Sequence, residues 1–150
     1  MRRTDMHLTG TVTSGLGRAH IFMAQSHYQD QFKSVLGNTA WPGTLNVDVK
    51  GSDLENYRLL RIISGLEEGD SEDGPSPLRI VGFERDGKSF GGATAFIGEI
   101  TVEGGKSSTC AILIPDLTRH TQTAEVISTS FLREILPCED GTLVNIKLNS

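Results

Sequence analysis

The sequence predicts a small, mainly β domain that closes, or nearly closes, into a barrel. Its 150 residues suit a single hydrophobic core, and its 17 glycines indicate many tight turns. Roughly seven short strand-like runs follow one another at close spacing. Closure into a barrel would remove the exposed edges of so many strands, although the pattern also fits a sandwich. We therefore expect one domain over residues 1–150.

The first half of the chain contains runs that favour strands around one short helix. Residues 7–13 and 19–24 are rich in β-forming side chains and favour strands, with a glycine-containing loop between them. Residues 28–36 place apolar side chains at helical spacing and end before a glycine, which indicates an amphipathic helix. Residues 45–49 alternate as a strand does, and the apolar run at 57–63 is grouped with the strands.

An acidic segment precedes a predicted β-meander in the middle of the chain. Residues 65–77 are rich in Gly, Pro, Asp and Glu and nearly lack apolar side chains, which predicts an exposed, mobile loop. Residues 78–114 then predict a meander of roughly three or more strands. Asp86-Gly87 and Gly104-Gly105 stand where hairpin turns would join those strands.

The C-terminal part of the chain predicts a strand, a short helix and a last strand. Residues 124–129 favour the first strand and residues 131–136 the helix. Residues 142–148 follow an Asp-Gly turn and favour the final strand. The whole pattern is thus mainly β with two short helices, at 28–36 and 131–136.

Composition excludes several classes of function. A net charge of −5 argues against general nucleic-acid binding, which needs a basic face. Cys110 and Cys138 lack the spacing of a zinc site or a disulfide framework, so a reducing compartment fits best. No run approaches the about 20 apolar residues that span a bilayer. We expect a cytoplasmic protein with no membrane contact and no evident obligate protein partner.

A glycine-containing loop at residues 13–20, TSGLGRAH, could approach a phosphate closely and turn its N–H groups inward. It is neither a Walker A loop nor a Rossmann fingerprint, because no Gly-Lys-Ser/Thr, third glycine or opening helix follows. Considered alone, a glycine-containing loop of this kind is more often a simple turn between strands.

Thr44 and Asn46 are the clearest candidates for metal ligands. They stand two residues apart on a predicted strand, so a hydroxyl and an amide oxygen emerge on one face. Magnesium accepts such neutral oxygens when phosphates and waters complete its octahedron. A simple turn with Thr and Asn remains the commoner structure for such a pair. The four histidines have no metal-ligand spacing.

Further polar groups stand near the predicted C-terminal helix. Glu125 and Arg133 bring a carboxylate and a guanidinium toward the start of that helix. Such groups suit a polar ligand, but a surface ion pair is the more common outcome.

These motifs occur in a recognisable order: SGLG at 14–17, PGTLN at 42–46, LRE at 132–134 and DG at 140–141. In this order the chain resembles the archaeal CTP-dependent riboflavin kinases over residues 9–148. The resemblance implies a six-stranded cradle-loop barrel. It also implies transfer of the γ-phosphoryl group of CTP to the 5′-hydroxyl of riboflavin, giving FMN and CDP, with Mg²⁺.

The resemblance also implies roles for individual residues. Metal ligation falls to Thr44 and Asn46, and flavin contact falls to Thr118 and Glu125. Glu125 is in addition the only candidate for a general base. Nucleotide contacts fall to the loop and to a second stretch near the C-terminus. Those nucleotide contacts are Gly15, Leu16, Gly17, Arg18, Ala19, His20, Ile21, Ser130, Phe131, Leu132 and Arg133.

Two departures from the family pattern leave an alternative open. Members commonly read SGLGEG, whereas this chain has Arg18 and Ala19 after the second glycine. If position 19 needs a positive φ, alanine costs about 1 kcal/mol there. The acidic segment is also longer than in the family. A non-catalytic flavin- or nucleotide-binding module of the same barrel is the alternative, and a DNA-binding regulator is disfavoured by the acidic charge.

Overall fold

The computed structural model describes residues 6–15, 19–70 and 74–149. The strands in these ranges are β1 (Met6–Thr13), β2 (Leu45–Val49), β3 (Leu78–Ile80), β4 (Phe83–Arg85), β5 (Lys88–Phe90), β6 (Ala93–Val102), β7 (Ser107–Pro115), β8 (Thr123–Ile127) and β9 (Leu143–Leu148). The helices are α1 (Ala19–Met23), α2 (Ser26–Leu36), α3 (Asp53–Ile63) and α4 (Leu132–Ile135).

Six strands close into an antiparallel barrel in the order β6-β7-β8-β2-β1-β9, and β9 pairs back onto β6. The closing pair brings Gly98 opposite Leu148 and Ile100 opposite Ile146. Strand β3 pairs with the first residues of β6, before the stretch of β6 that pairs with β9. Strands β4 and β5 pair in a separate hairpin. The predicted fold class is confirmed, and the closed barrel excludes the sandwich.

The barrel interior is filled by the side chains of alternating positions. Strands β1 and β2 show this pattern directly, with buried residues at every second position. Leu8, Val47, Phe96, Ile112 and Ile146 are fully buried there. Each such side chain contributes roughly 1.5–3 kcal/mol through removal of apolar surface from water.

A second apolar layer covers part of the outside of the barrel. Helix α2 packs Phe32 and Val35 toward Ala95, Ala111 and Ile127 on the outer faces of β6, β7 and β8. Strand β7 is therefore buried on both faces, which explains why its sequence reads as an unbroken apolar run rather than an alternation. A cavity lies between this outer layer and the barrel strands.

Two predicted strands are helices in the structure. The run at residues 19–24 contains the whole of α1, and residues 57–63 form the C-terminal part of α3. In α3 the buried Tyr57 and Leu60 stand three residues apart and pack against the barrel, whereas a strand would bury alternate positions. Asp53 also lies in the first turn, where a negative charge favours the helix dipole. Short apolar runs do not by themselves separate helix from strand.

The two predicted helices and the hairpin turns are confirmed. Helix α2 ends at Gly37, whose φ of 83° lets its N–H donate to Lys33. The 131–136 prediction corresponds to α4. Asp86 (φ 53°) and Gly87 (φ 77°) form the turn between β4 and β5, and Gly104 (φ 70°) lies in the turn after β6. Across the described ranges, no helix has the length and apolar content needed to cross a membrane.

The acidic segment is less detached than its composition predicts. Glu67 accepts hydrogen bonds from Arg58 and Arg61 of α3, the latter at 2.8 Å. Leu66 packs against the barrel core, and Pro75 is buried. Among the described residues of the segment, Gly65, residues 68–70, Ser76 and Pro77 are exposed, whereas Leu66 and Glu67 are half-buried against α3 and the barrel.

Candidate active site

A cavity of about 610 Å³ lies outside the barrel, between the sheet, helices α1 and α2 and the β4–β5 hairpin. We call it the large cavity. This is the usual size of a site for a cofactor or drug-sized ligand, which combines apolar walls with a few polar groups. Its lining residues are Ala19, Phe22, Met23, Tyr28, Phe32, Thr44, Ile80, Lys88, Ser89, Phe90, Gly91, Gly92, Ala93, Leu113, Pro115, Leu117 and Glu125.

Aromatic rings form one wall of the large cavity. Phe90 stacks on Phe83 at a centroid distance of 4.7 Å and meets Phe22 of α1 edge-on at 6.3 Å. The Tyr28 hydroxyl donates to the Gly91 carbonyl oxygen at 2.6 Å and so ties the hairpin to α2. Flat aromatic ligands suit such a wall, because ring faces and edges attract one another.

A row of polar residues crosses three strands beside the large cavity, and one of them, Glu125, lines it. Thr13 on β1 pairs with Asn46 on β2, and Asn46 pairs with Glu125 on β8. Directly paired residues of an antiparallel sheet point to the same face. The Thr44 hydroxyl donates to the Asn46 side-chain oxygen at 3.0 Å. The structure therefore brings both predicted metal ligands beside Glu125.

Glu125 lies in a mainly apolar environment. Burial raises the pKa of its carboxyl group, and the nearby His120 offsets part of that increase. A raised pKa lies closer to neutral pH, and a general acid or base works best when its pKa is near the working pH. Among the described residues lining the large cavity, Glu125 is the only carboxylate.

A second, smaller cavity of about 50 Å³ opens beside the first. We call it the small cavity. Thr44 lines both cavities, so they adjoin at that residue. The predicted nucleotide residues Ser130, Phe131, Leu132 and Arg133 all line the small cavity, and the remaining lining residues are Trp41, Gly43, Thr44, Leu45, Val126 and Ser128.

Arg133 is held next to the start of the glycine-containing loop. Its Nη2 atom donates to the Asp140 carboxylate at 2.8 Å and lies 3.5 Å from the Thr13 carbonyl oxygen. The Ser14 hydroxyl donates to the other oxygen of Asp140 at 2.5 Å. Hydrogen bonds from Ser14 and Arg133 lower the pKa of Asp140. The positively charged guanidinium of Arg133, which lines the small cavity, is thus held beside the start of the loop.

The predicted nucleotide loop falls partly within the described residues. Gly15 lies against the Asn46 side chain. A Cβ atom added at Gly15 would stand only 2.2 Å from the Asn46 side-chain nitrogen, so there is no room for a larger residue unless Asn46 moves. Leu16, Gly17 and Arg18 lie outside the described residues. The remaining predicted loop residues, Ala19, His20 and Ile21, are in α1, where Ala19 lines the large cavity and the other two are exposed.

Ala19 therefore brings no backbone strain. It begins a helix, and among the described non-glycine residues only Asp86 has a positive φ. The cost considered for alanine at this position does not arise.

Thr118 lies in the turn after β7, next to the cavity-lining Leu117. Its N–H donates to the Pro115 carbonyl oxygen at 3.0 Å, and its hydroxyl accepts the His120 N–H at 3.2 Å. The structure thus places Thr118 near the rim of the large cavity, while Glu125 lies in its wall.

The chemistry of Thr44 and Asn46 fits a magnesium ion. Within the described ranges, no cluster of three or more His, Cys, Asp or Glu side chains could hold a metal. Thr44 lines both cavities, and its hydroxyl oxygen lies 3.0 Å from the Asn46 side-chain oxygen. Neutral oxygens of this kind suffice for Mg²⁺ when a phosphorylated ligand supplies the charge.

Several cavity residues were missed by sequence reasoning. Phe22, Tyr28, Lys88 and Phe90 line the large cavity, and Trp41 lines the small one. The aromatic wall is assembled from separate segments and leaves no local motif. Trp41 had a usable signal, since it directly precedes the PGTLN motif.

A closed barrel with two cavities that share Thr44 in their walls is the architecture expected of a protein that binds two small ligands side by side. A family model named CTP-dep_RFKase, described as "Domain of unknown function DUF120", matches residues 12–148. The chain belongs to this family, the archaeal-type CTP-dependent riboflavin kinases. The resemblance seen in the sequence motifs is confirmed.

Curated relatives cover nearly the whole chain. A protein named riboflavin kinase from Sulfurisphaera tokodaii is 33% identical over 150 residues, which span 99% of this chain and 98% of the relative. Proteins of the same name from Haloquadratum walsbyi and Thermoplasma acidophilum are 34% and 30% identical. In these two the match spans 95% and 97% of this chain but 56% and 59% of the relative. The chain thus spans little more than half the length of those two relatives.

Proposed function

We propose that this protein phosphorylates riboflavin to FMN, with CTP as the donor and Mg²⁺ as the metal. The products are FMN and CDP. Riboflavin occupies the large cavity and the nucleotide occupies the small cavity with the loop at residues 13–20. The relatives' name supports the acceptor, and the name of the family model supports the donor.

The observation that carries this proposal is the position of Thr44 in the walls of both cavities. A kinase must bring the hydroxyl of one substrate to the terminal phosphate of the other. Positioning two reactants in this way supplies much of the catalysis in phosphoryl transfer. A flavin ring against Phe22 and Phe90 would direct its ribityl chain toward the polar row at Asn46 and Glu125.

The reaction forms one P–O bond and breaks another. The ribityl 5′-oxygen bonds to the γ-phosphorus of CTP, and the bond between that phosphorus and the β,γ-bridging oxygen breaks, leaving CDP. Arg133 lines the small cavity and offers a cation to the phosphates. Backbone N–H groups at the start of the loop, around Gly15, would add further donors.

Thr44 and Asn46 would hold Mg²⁺. When bound, the ion neutralises the phosphate charge that develops during transfer. Glu125 faces the same region and accepts the proton released by the hydroxyl. A strong base is not essential, because the loose transition state keeps that proton on the hydroxyl until late.

The proposal is tested by incubating the protein with riboflavin, CTP and Mg²⁺ and separating FMN by chromatography. We expect FMN to accumulate, and omission of Mg²⁺ or addition of a chelator to abolish it. Tight riboflavin binding without turnover under every nucleoside triphosphate would instead favour the non-catalytic module. Riboflavin fluorescence quenching measures that binding separately from turnover.

A further inference from the structure

Two large aromatic side chains lie exposed at the small cavity. Trp41 is 46% exposed and Phe131 is 39% exposed. Their rings stack at a centroid distance of 5.1 Å and an angle of 25°. Both residues line the cavity. Exposed apolar surface that is contiguous and borders polar groups marks a binding surface more often than a random exposed side chain does.

Backbone hydrogen bonds hold the main chain at both residues, and the two rings stack on each other. The Trp41 N–H donates to the Ser128 carbonyl oxygen at 2.8 Å, which ties this position to the end of β8. The Phe131 carbonyl oxygen accepts from the N–H groups of Glu134 and Ile135 at 3.0 and 3.1 Å, at the start of α4. A ligand that stacks on these rings therefore meets a preformed surface.

The surroundings indicate what kind of ring would stack there. Arg133 lines the same cavity two residues from Phe131, and Ser128 and Ser130 add polar groups to it. Thr44 lines this cavity as well and is shared with the large cavity. An aromatic surface, a cation and a predicted metal ligand around one cavity match the base, the phosphates and the metal of a nucleotide.

We propose that Trp41 and Phe131 form the platform on which the base of the donor nucleotide stacks. The proposal rests on the proposed function and extends it, because the family resemblance assigns no role to Trp41. Phosphates of a base held there would extend past Arg133 toward Thr44. Stacking accepts every base, so the platform sets affinity for the nucleotide, while polar contacts to the base edge choose among the four.

Trp41 is the only tryptophan of the chain and is thus a built-in reporter. Tryptophan fluorescence is followed while the protein is titrated with CTP, with cytidine and with inorganic triphosphate. We expect CTP and cytidine to quench the emission and triphosphate to leave it nearly unchanged. Equal quenching by triphosphate, or none by CTP at concentrations that saturate calorimetric binding, would overturn the platform.

Substitutions separate stacking from a structural role. Calorimetry should show CTP binding weakened about 5- to 150-fold in Trp41→Ala and in Phe131→Ala, the range expected for loss of base stacking. Trp41→Phe keeps a ring and should stay within about 3-fold of wild type. Leu54→Ala removes an exposed apolar side chain from α3 and serves as the matched control, with unchanged affinity. Inorganic triphosphate should bind all these variants alike.

The platform and the enzymatic function fail in different ways. If the wild-type protein makes FMN but Trp41→Ala and Phe131→Ala bind CTP as tightly as wild type, the platform is wrong and the kinase assignment stands. If CTP and cytidine quench Trp41 and both alanine variants lose affinity, the platform stands even where no FMN is formed. Should Trp41→Ala fail to fold, Phe131→Ala and Trp41→Phe still decide the question.

Discussion

Asn46 on β2 and Glu125 on β8 lie directly opposite each other on the outer face of the barrel, and the Thr44 hydroxyl donates to the Asn46 side-chain oxygen at 3.0 Å. This arrangement places the predicted metal ligands beside the only carboxylate among the described residues that line the large cavity. Thr44 lines both cavities and Glu125 lines the large one, so we expect these polar side chains to serve the chemistry more than the stability of the fold.

Loss of either predicted metal ligand should abolish most of the activity. We expect FMN formation in Thr44→Ala and Asn46→Ala to fall about 100-fold or more, because charge stabilisation at the phosphates is lost. Thr44→Ser keeps the hydroxyl and should retain most of the rate. Rates are measured over a range of Mg²⁺ concentrations, with riboflavin binding followed by flavin fluorescence. Full turnover in both alanine variants would refute the metal assignment.

Gly15→Ala should impair the site while leaving the fold intact. The new Cβ would stand 2.2 Å from the Asn46 side-chain nitrogen, so the Asn46 side chain must move. We expect kcat to fall about 10-fold, as is common when a supporting contact of a metal ligand is disturbed. Gly105→Ala is the control, since its nearest neighbour would be at an ordinary 3.5 Å. Unchanged kcat in Gly15→Ala would show that the Asn46 position is not critical.

The buried carboxyl group of Glu125 should make stability depend on pH. Burial raises its pKa in the folded protein above the ordinary value. Its contribution is therefore most favourable below the ordinary carboxyl pKa and is lost as the pH rises through the raised pKa. Glu125→Gln should melt at a higher temperature than wild type at pH 8, and the difference should shrink as the pH falls toward 4. A constant difference across this range would contradict the assigned cause.

The aromatic wall should determine riboflavin affinity without affecting the nucleotide. Phe90 stacks on Phe83 and meets Phe22 edge-on. Phe90→Ala should weaken riboflavin binding about 2- to 12-fold, the size expected for one aromatic contact. Flavin fluorescence titration measures this effect, and calorimetry with CTP is the internal control. An equal loss of CTP affinity would indicate general unfolding instead.

Sequence reasoning succeeded where a local pattern carried the information. The alternation in β1 and β2, the glycine after α2 and the Asp86-Gly87 turn each depend on neighbouring residues. It failed at residues 19–24 and 57–63, because a short apolar run fits a helix or a strand until the partner surface is known.

The candidate site likewise contains residues that a local motif predicts and residues that only the fold brings together. The predicted metal ligands Thr44 and Asn46 and the predicted nucleotide stretch 130–133 come from local motifs, whereas Phe22 and Phe90 meet in the aromatic wall only after folding. No spacing rule links residues so far apart in the chain. The same holds for the proximity of Trp41 to Phe131.

The most direct test of the account is transfer of a labelled phosphoryl group to riboflavin. Riboflavin and Mg²⁺ are incubated with γ-phosphate-labelled CTP, ATP, GTP or UTP in separate reactions, and FMN is isolated. We expect the label in FMN with CTP, at a rate at least about 10-fold above that with each other nucleotide, equivalent to 1.4 kcal/mol of discrimination. Absence of labelled FMN with all four nucleotides, while riboflavin still binds, would contradict the account.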